Sequence, residues 1–171
     1  KAPYYYQHVV WREIPLAILV HTPIPAGKRE IVSPWGFPNE LKSWNWKGHE
    51  GDTMQVHIYT RSRKVRLALN GNTIGEQNID DTQSITATFG VPYEPGTLVA
   101  TIYDDGREVA SESLSTTGKP DAIRLVPDRS SIRSDRNDLS FVKAEIVDAE
   151  GQVVPDADDI LIHLSISAPA E

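Results

Sequence analysis

Residues 53–75 read TMQVHIYTRSRKVRLALNGNTIG, and the alternation in this stretch decides the fold. Met54, Val56 and Ile58 fall on one side of an extended chain, and polar or aromatic residues occupy the positions between them. Successive side chains of a β-strand point to opposite faces, so this pattern predicts a strand with one buried face.

The same rhythm continues along the chain. Val65–Leu69 alternates again, and the Asn-Gly pair at 70–71 tolerates the positive φ of a tight turn, which predicts a hairpin with 73–77. SITATFGV and TLVATIYDDGREVASESLST add further strands, the second of them folded back at Asp-Asp-Gly. Short strands separated by frequent turns predict an antiparallel β-sandwich of the immunoglobulin-like kind.

The stretch TTGKPD at 116–121 interrupts this rhythm and is the best candidate for a linker. AIRLVPD, LSFVKAEIVD and DILIHLSIS follow it as three more strand-like runs, too few to close a second sandwich. We expect an all-β protein of tandem immunoglobulin-like β-sandwiches, the second incomplete, after a short helical or extended lead-in. The expected boundaries are 1–20 for the lead-in, 21–117 for the first sandwich and 118–171 for the second. Unpaired edges in the second unit favour a homodimer.

Composition narrows the classes of function. The chain has 171 residues, a formal net charge of -7 and no cysteine. An acidic chain without a clustered basic face is a poor nucleic-acid ligand, and no apolar run approaches the roughly 20 residues that span a bilayer. Disulfides and thiolate metal sites are excluded because they need cysteine.

Several motifs resemble one family. KAPYYYQHVVW at 1–11 resembles the last barrel helix of glycoside hydrolase family 2 enzymes. Residues 44–76, from WNWKGHEG to the LNGNTIG hairpin, resemble the first β-sandwich after the barrel in β-galactosidase-like members. The resemblance continues through 89–130, and 138–166 looks like the opening of the next immunoglobulin-like domain.

The resemblance implies a non-catalytic accessory region that supports a catalytic barrel, in a periplasmic or secreted bacterial enzyme. Two departures stand out. The segment from His21 to Trp44 is longer than usual, and the second domain stops early. Both favour a piece of a longer β-galactosidase-like enzyme without its barrel.

Such enzymes cleave β-glycosidic bonds with two barrel glutamates, and the resemblance places both upstream of Lys1. The glutamates in this chain show no recognisable catalytic pair, so we expect them to be solvated surface residues and expect no catalytic residue. No cofactor and no metal are expected. The histidines are scattered, and the carboxylates at Asp104–Asp105 and Asp156–Asp159 are typical of solvated turns.

The aromatic stretch SPWGFPNELKSWNWKGHEG at 33–51 holds the candidate contact residues, which are Trp35, Phe37, Trp44 and Trp46. Aromatic rings stack on the apolar faces of sugars, but they also fill cores and interfaces. Three interpretations stay open: packing in the core or against the barrel, a loop at the active-site rim, and an independent sugar site. For the chain as a whole, three functions stay open: an accessory domain, a carbohydrate-binding module that uses exposed Trp residues and, third, a cell-surface structural or adhesive repeat.

Overall fold

The computed structural model describes residues 2–32, 36–80, 82–133, 137–157 and 159–165. Within these ranges the protein has one helix and ten strands, and the predicted all-β class is confirmed. The elements are α1 (Ala2–Val10), β1 (Leu16–His21), β2 (Glu40–Leu41), β3 (Thr53–Thr60), β4 (Lys64–Leu69), β5 (Asn72–Asn78), β6 (Thr86–Pro92), β7 (Thr97–Asp104), β8 (Arg107–Ser115), β9 (Ala122–Pro127) and β10 (Val142–Val147). No helix among the described residues is long and apolar enough to cross a membrane.

The chain divides into two compact units, Lys1–Thr116 and Thr117–Glu171. Unit 1 contains two four-stranded antiparallel sheets, with strand orders β2-β1-β3-β6 and β5-β4-β7-β8. The apolar residues of the alternating pattern face inward. Val56, Ile58, Val65 and Leu67 are fully buried between the two sheets. The hydrophobic pattern therefore sets which face of each sheet forms the core.

β1 is buried on both faces, which explains the unbroken apolar run IPLAILV. Ile18 and Val20 belong to the core between the sheets, whereas Ala17 and Leu19 face the opposite side and pack beneath α1. The boundary expected between residues 20 and 21 falls inside this strand. β1 belongs with the sandwich because it pairs with β3 over Leu16–Val20.

Both predicted hairpin turns are present. Asn70 and Gly71 have φ of 51° and 80°, and Asp105 and Gly106 have φ of 49° and 79°. Positive φ at both central residues twists the chain in the sense that two-residue β-hairpins require. The turns join β4 to β5 and β7 to β8.

Among its described residues, unit 2 has one antiparallel strand pair, β9 with β10. One face carries Ile123 and Leu125, which are 51% and 56% exposed, and the other carries an ion pair between Arg124 and Glu145. The third predicted strand, DILIHLSIS, is wrong over its described part, 159–165, which forms no strand. A strand needs a hydrogen-bonded neighbour, and this part of the segment pairs with none of the described strands.

Candidate functional site

Trp44 is fully buried in the core of unit 1. Its indole Nε1 donates a hydrogen bond to the carbonyl oxygen of Glu94 at 3.0 Å, and its ring meets Tyr93 edge to face with centroids 5.1 Å apart. A ring enclosed in this way has no free face for a sugar. Its position favours core packing among the three interpretations of the aromatic stretch.

The other candidate residues differ in their surroundings. Trp46 is partly buried against the same core, and its backbone N–H donates to the hydroxyl of Tyr93 at 3.1 Å. Phe37 is 36% exposed, with its ring 5.3 Å from that of Tyr6. Trp35 lies outside the described residues. The structure thus brings Trp44 and Trp46 to the sandwich and leaves Phe37 at its surface beside α1.

Glu30 ties the long β1–β2 loop back on itself. One carboxylate oxygen accepts the backbone N–H of Asn39 at 2.7 Å, and the other lies 2.8 Å from His21 Nε2. These hydrogen bonds, led by that of Asn39, hold the pKa of Glu30 below its usual value. The two ends of the loop also meet directly, since Thr22 N–H donates to Asn39 O at 2.9 Å. The loop that carries Phe37 therefore has a fixed base.

A buried carboxylate, Glu40, directly follows this loop in the sequence. The Glu40 side chain is fully enclosed, pairs with Nδ1 of His57 and accepts a hydrogen bond from the Tyr59 hydroxyl at 2.7 Å. Burial, and then the bond to Glu40, raise the pKa of Tyr59, so this phenol stays protonated. The expectation that Glu40 is a solvated surface residue is wrong. His57 and Tyr59 share one face of β3, but their partner lies 17 and 19 residues earlier, which no local pattern reveals.

Glu112 is a second carboxylate that was expected to be solvated, and its side chain is only 20% exposed. It projects from β8 to the other sheet, where one oxygen accepts the backbone N–H of Ile18 at 2.7 Å and the other pairs with Lys42 Nζ. β2 covers only two residues of the β1 edge, so Glu112 satisfies an edge N–H that would otherwise lack a partner. Both oxygens are engaged, and the contact links the two sheets.

α1 presents aromatic residues on the side away from the sandwich. Ala2 and Val9 are buried against β1 and β3, while Tyr4 on α1 and Trp11, two residues after Val9 and just past the helix, are 57% and 63% exposed. A separation of seven residues is nearly two helical turns, so these two rings project on the same side. This pair was not predicted from the sequence, although its seven-residue spacing was the available signal. An exposed aromatic pair on a seated helix is suited to contact with another protein surface.

Potential chemical centres are sparse. The described residues include no group of three or more His, Asp or Glu side chains that could hold a metal ion. A cleft of about 520 Å³ opens where β1 ends and β3 begins. Its polar lining includes His21, His49, Asp52 and Gln55. This lining offers hydrogen-bonding groups without an aromatic platform.

Each of the two units contains a segment that matches a known protein family. Residues 51–110 match a family described as a domain of unknown function (DUF4982), and residues 123–171 match glycoside hydrolase family 2 C-terminal domain 5. Each match falls within one compact unit of the structure.

Individual relatives agree with these matches. A β-galactosidase of Bacteroides ovatus, BoGH2A, is 36% identical over 69% of this chain, a region equal to 14% of that protein. A putative β-glucuronidase of Formosa agariphila is 26% identical over 91% of this chain and 13% of its own length. The crystal structure of a glycosyl hydrolase family 2 member from Bacteroides cellulosilyticus superposes with a TM-score of 0.81 at 35% identity, covering 90% of this chain and 20% of that one.

These proteins are far longer than the chain, which spans a fifth or less of the length of each. The family match at 51–110 overlaps the motif at 44–76 and falls on the sandwich observed for unit 1. The chain therefore belongs to glycoside hydrolase family 2, as part of its C-terminal β-sandwich region.

Proposed function

We propose that the chain is a non-catalytic accessory region that supports the catalytic barrel of a β-galactosidase-like enzyme in carbohydrate degradation. Its relatives include a protein named as a β-galactosidase. The periplasmic or secreted location inferred from the resemblance stays a prediction, as does a homodimer formed through the open sheet of unit 2.

The observation that carries this proposal is the two-sided character of α1. One side packs on the sandwich of unit 1 through Val9, which is 1% exposed, and the other displays Tyr4, with Trp11 directly after the last helical residue. Exposed aromatic rings on an ordered helix lose little conformational entropy when they are covered. α1 is thus suited to lie between the sandwich and a barrel, and to stabilise the barrel that packs on its outer side.

The carboxylates support a non-catalytic role. Glycosidases need one carboxyl group free to give a proton and a second free to attack the sugar or to activate water. Glu40, Glu145 and Glu112 have the least exposed side chains among the described glutamates, and both oxygens of each already have partners. Engaged in this way, none of the three is available as an acid or a nucleophile.

The test uses the longer protein in which this region follows a barrel. Replacing Tyr4 and Trp11 together by alanine should lower the temperature at which glycosidase activity is lost, because the covered aromatic area is removed. Ile74→Ala is the matched control, since Ile74 is also partly exposed, at 38%, but lies on β5 away from α1. Identical inactivation temperatures for the double variant and the control would contradict the proposal.

Carbohydrate binding is the second candidate, and the cleft at the end of β1 favours it. About 520 Å³ is room for a small saccharide, and His49 and Gln55 offer hydrogen-bonding groups. The test is an NMR titration of the chain with galactosides up to millimolar concentration. Shifts that are confined to the cleft and lost in Gln55→Ala would support this role, and unchanged spectra would remove it.

The third alternative, an adhesive repeat, has less support. Tandem adhesive domains repeat one kind of unit, whereas the two units of this chain match two different family descriptions.

A further inference from the structure

The turn between β4 and β5 holds the one Asn-Gly pair in the sequence, Asn70–Gly71. Glycine has no side chain to shield its backbone nitrogen, so that nitrogen can reach the side-chain carbon of the asparagine before it. Asparagine followed by glycine is for this reason chemically labile. Asn70 is exposed at the surface of unit 1, where water has access.

Both polar atoms of the Asn70 side-chain amide are hydrogen-bonded to the rest of unit 1. Its Oδ1 accepts the backbone N–H of Thr97 at 2.8 Å. Its Nδ2 donates to Glu94 Oε1 at 2.9 Å and to the carbonyl oxygen of Pro95 at 3.2 Å. The amide thus joins the β4–β5 turn to the loop between β6 and β7.

Gly96 shows how closely the two segments meet. It has a φ of 145°, and a Cβ at this position would lie 1.8 Å from Asn70 Oδ1. Only glycine fits there, so the loop backbone approaches the asparagine amide as nearly as it can. The amide and the loop form a latch made by Asn70, Glu94, Pro95, Gly96 and Thr97.

We propose that Asn70 is a site of spontaneous deamidation, that the latch protects it in the folded chain, and that deamidation opens the latch. This inference concerns the durability of unit 1 and is independent of the proposed function.

The reaction needs water and no other co-reactant. The backbone nitrogen of Gly71 attacks Cγ of Asn70, a C–N bond forms, and the Cγ–Nδ2 bond breaks. Nδ2 leaves as ammonia and carries away the proton of the Gly71 nitrogen. Water then opens the resulting succinimide ring at either carbonyl, giving aspartate or isoaspartate at position 70. No electrons are transferred.

Attack requires Cγ to turn toward Gly71, and this rotation breaks the hydrogen bonds to Glu94, Pro95 and Thr97. The product places a carboxylate where Nδ2 was, opposite the carboxylate of Glu94 and a carbonyl oxygen. Two donated hydrogen bonds are lost and two negative charges meet, so the loop is repelled from the turn.

The first experiment measures deamidation rates by mass spectrometry of peptides after incubation at pH 8.5. We expect Asn70 in the folded chain to react at least about ten times more slowly than in the chain unfolded in urea, because opening the latch must come first. The other asparagines, which are followed by larger residues, report background reaction. Equal rates at Asn70 in the folded and unfolded chains would overturn the protection.

The second experiment tests the consequence with Asn70→Asp, which places one of the two products, with the same added negative charge, directly in the chain. Its control is Asn72→Asp two residues away, whose side chain is exposed and makes no hydrogen bond to the described residues. We expect Asn70→Asp to lower Tm by about 5 °C at pH 7 and the control to change it little. Adding Glu94→Gln should restore most of the loss. A Tm equal to that of the control, or no recovery with Glu94→Gln, would overturn the latch.

Discussion

Trp44 closes one end of the unit 1 core through contacts on every side of its ring. The indole is 0% exposed, its Nε1 is hydrogen-bonded to Glu94 O, and its backbone carbonyl accepts from the Thr116 hydroxyl at 2.8 Å. Through its ring and its backbone, this one residue joins the segment before β3 to the loop before β7 and to the residue that follows β8. Its role at the residue scale is to pack, and a ligand has no route to it.

Replacing Trp44 by alanine should lower the free energy of unfolding of unit 1 by about 3–5 kcal/mol, because a large buried ring is removed and its cavity collapses only in part. Urea denaturation followed by circular dichroism measures the change. Phe37→Ala, at a ring that is 36% exposed, should cost less than about 1 kcal/mol. Similar losses for the two variants would mean that Trp44 is not part of the core.

Asp148 plays a comparable part in unit 2. Its carboxylate accepts the backbone N–H of Gly118, of Glu150 and of Gln152, and these bonds, led by that of Gly118, hold its pKa below the ordinary 3.8. A carboxyl with a lowered pKa adds stability that is complete above its ordinary value and is lost as the pH falls through the folded value.

Asp148→Asn should therefore remove part of the acid sensitivity of unit 2. Hydrogen exchange of the β9–β10 amides, compared between pH 6 and pH 3, should show a loss of protection in the parent chain and a smaller loss in the variant. An unchanged pH dependence in the variant would show that Asp148 does not contribute in this way.

At the scale of elements, α1 and β1 explain how the first twenty residues join the sandwich. β1 is apolar from Leu16 to Val20 because α1 covers the face that the second sheet does not. α1 ends at Val10, and two residues later Arg12 takes a φ of 62° while its backbone N–H donates to Val9 O at 3.0 Å. The helix is consequently short, fixed on one side and open on the other.

The two sides of α1 predict opposite results in the isolated chain. Val9→Ala should destabilise unit 1 by about 2 kcal/mol, since it removes buried methyl groups between α1 and β1. Trp11→Ala should change stability by no more than about 0.5 kcal/mol because its ring is 63% exposed. Thermal unfolding of both variants provides the comparison, and a larger loss for Trp11→Ala would reverse the assignment of the faces.

Strand existence and turn chemistry could be read from the sequence because both are local. The alternation at Met54–Ile58 and the pairs Asn70–Gly71 and Asp105–Gly106 each depend on neighbouring residues. The contacts of Glu40 and Glu112 could not be read in this way, because the fold brings their partners from distant segments. The strand prediction for 159–165 was wrong for a related reason. An alternating pattern forms a strand only where a neighbouring strand pairs with it.

At the scale of the whole molecule, the two units differ in completeness. Unit 1 has two sheets facing each other across a continuous core, whereas unit 2 leaves the apolar side chains of Ile123, Leu125 and Val142 more than half exposed. The buried residues of the unit 1 core all lie before Thr116. Unit 1 thus contains all the residues of its own hydrophobic core.

Residues 1–116 expressed alone should therefore fold. Their near-ultraviolet circular dichroism, which reports Trp44 in its packed setting, should match the corresponding signal of the whole chain, and unfolding should be cooperative. A disordered product would show that unit 1 depends on residues after Thr116.

The proposed function assigns catalysis to the barrel and none to this region. The most direct measurement is hydrolysis of an aryl β-galactoside by the purified 171-residue chain, at concentrations far above those of an enzyme assay. We predict no release of the aryl group above the rate in buffer, because the most buried carboxylates have both oxygens engaged. Turnover that stays proportional to the amount of purified chain, and that follows it through a second column, would contradict the account.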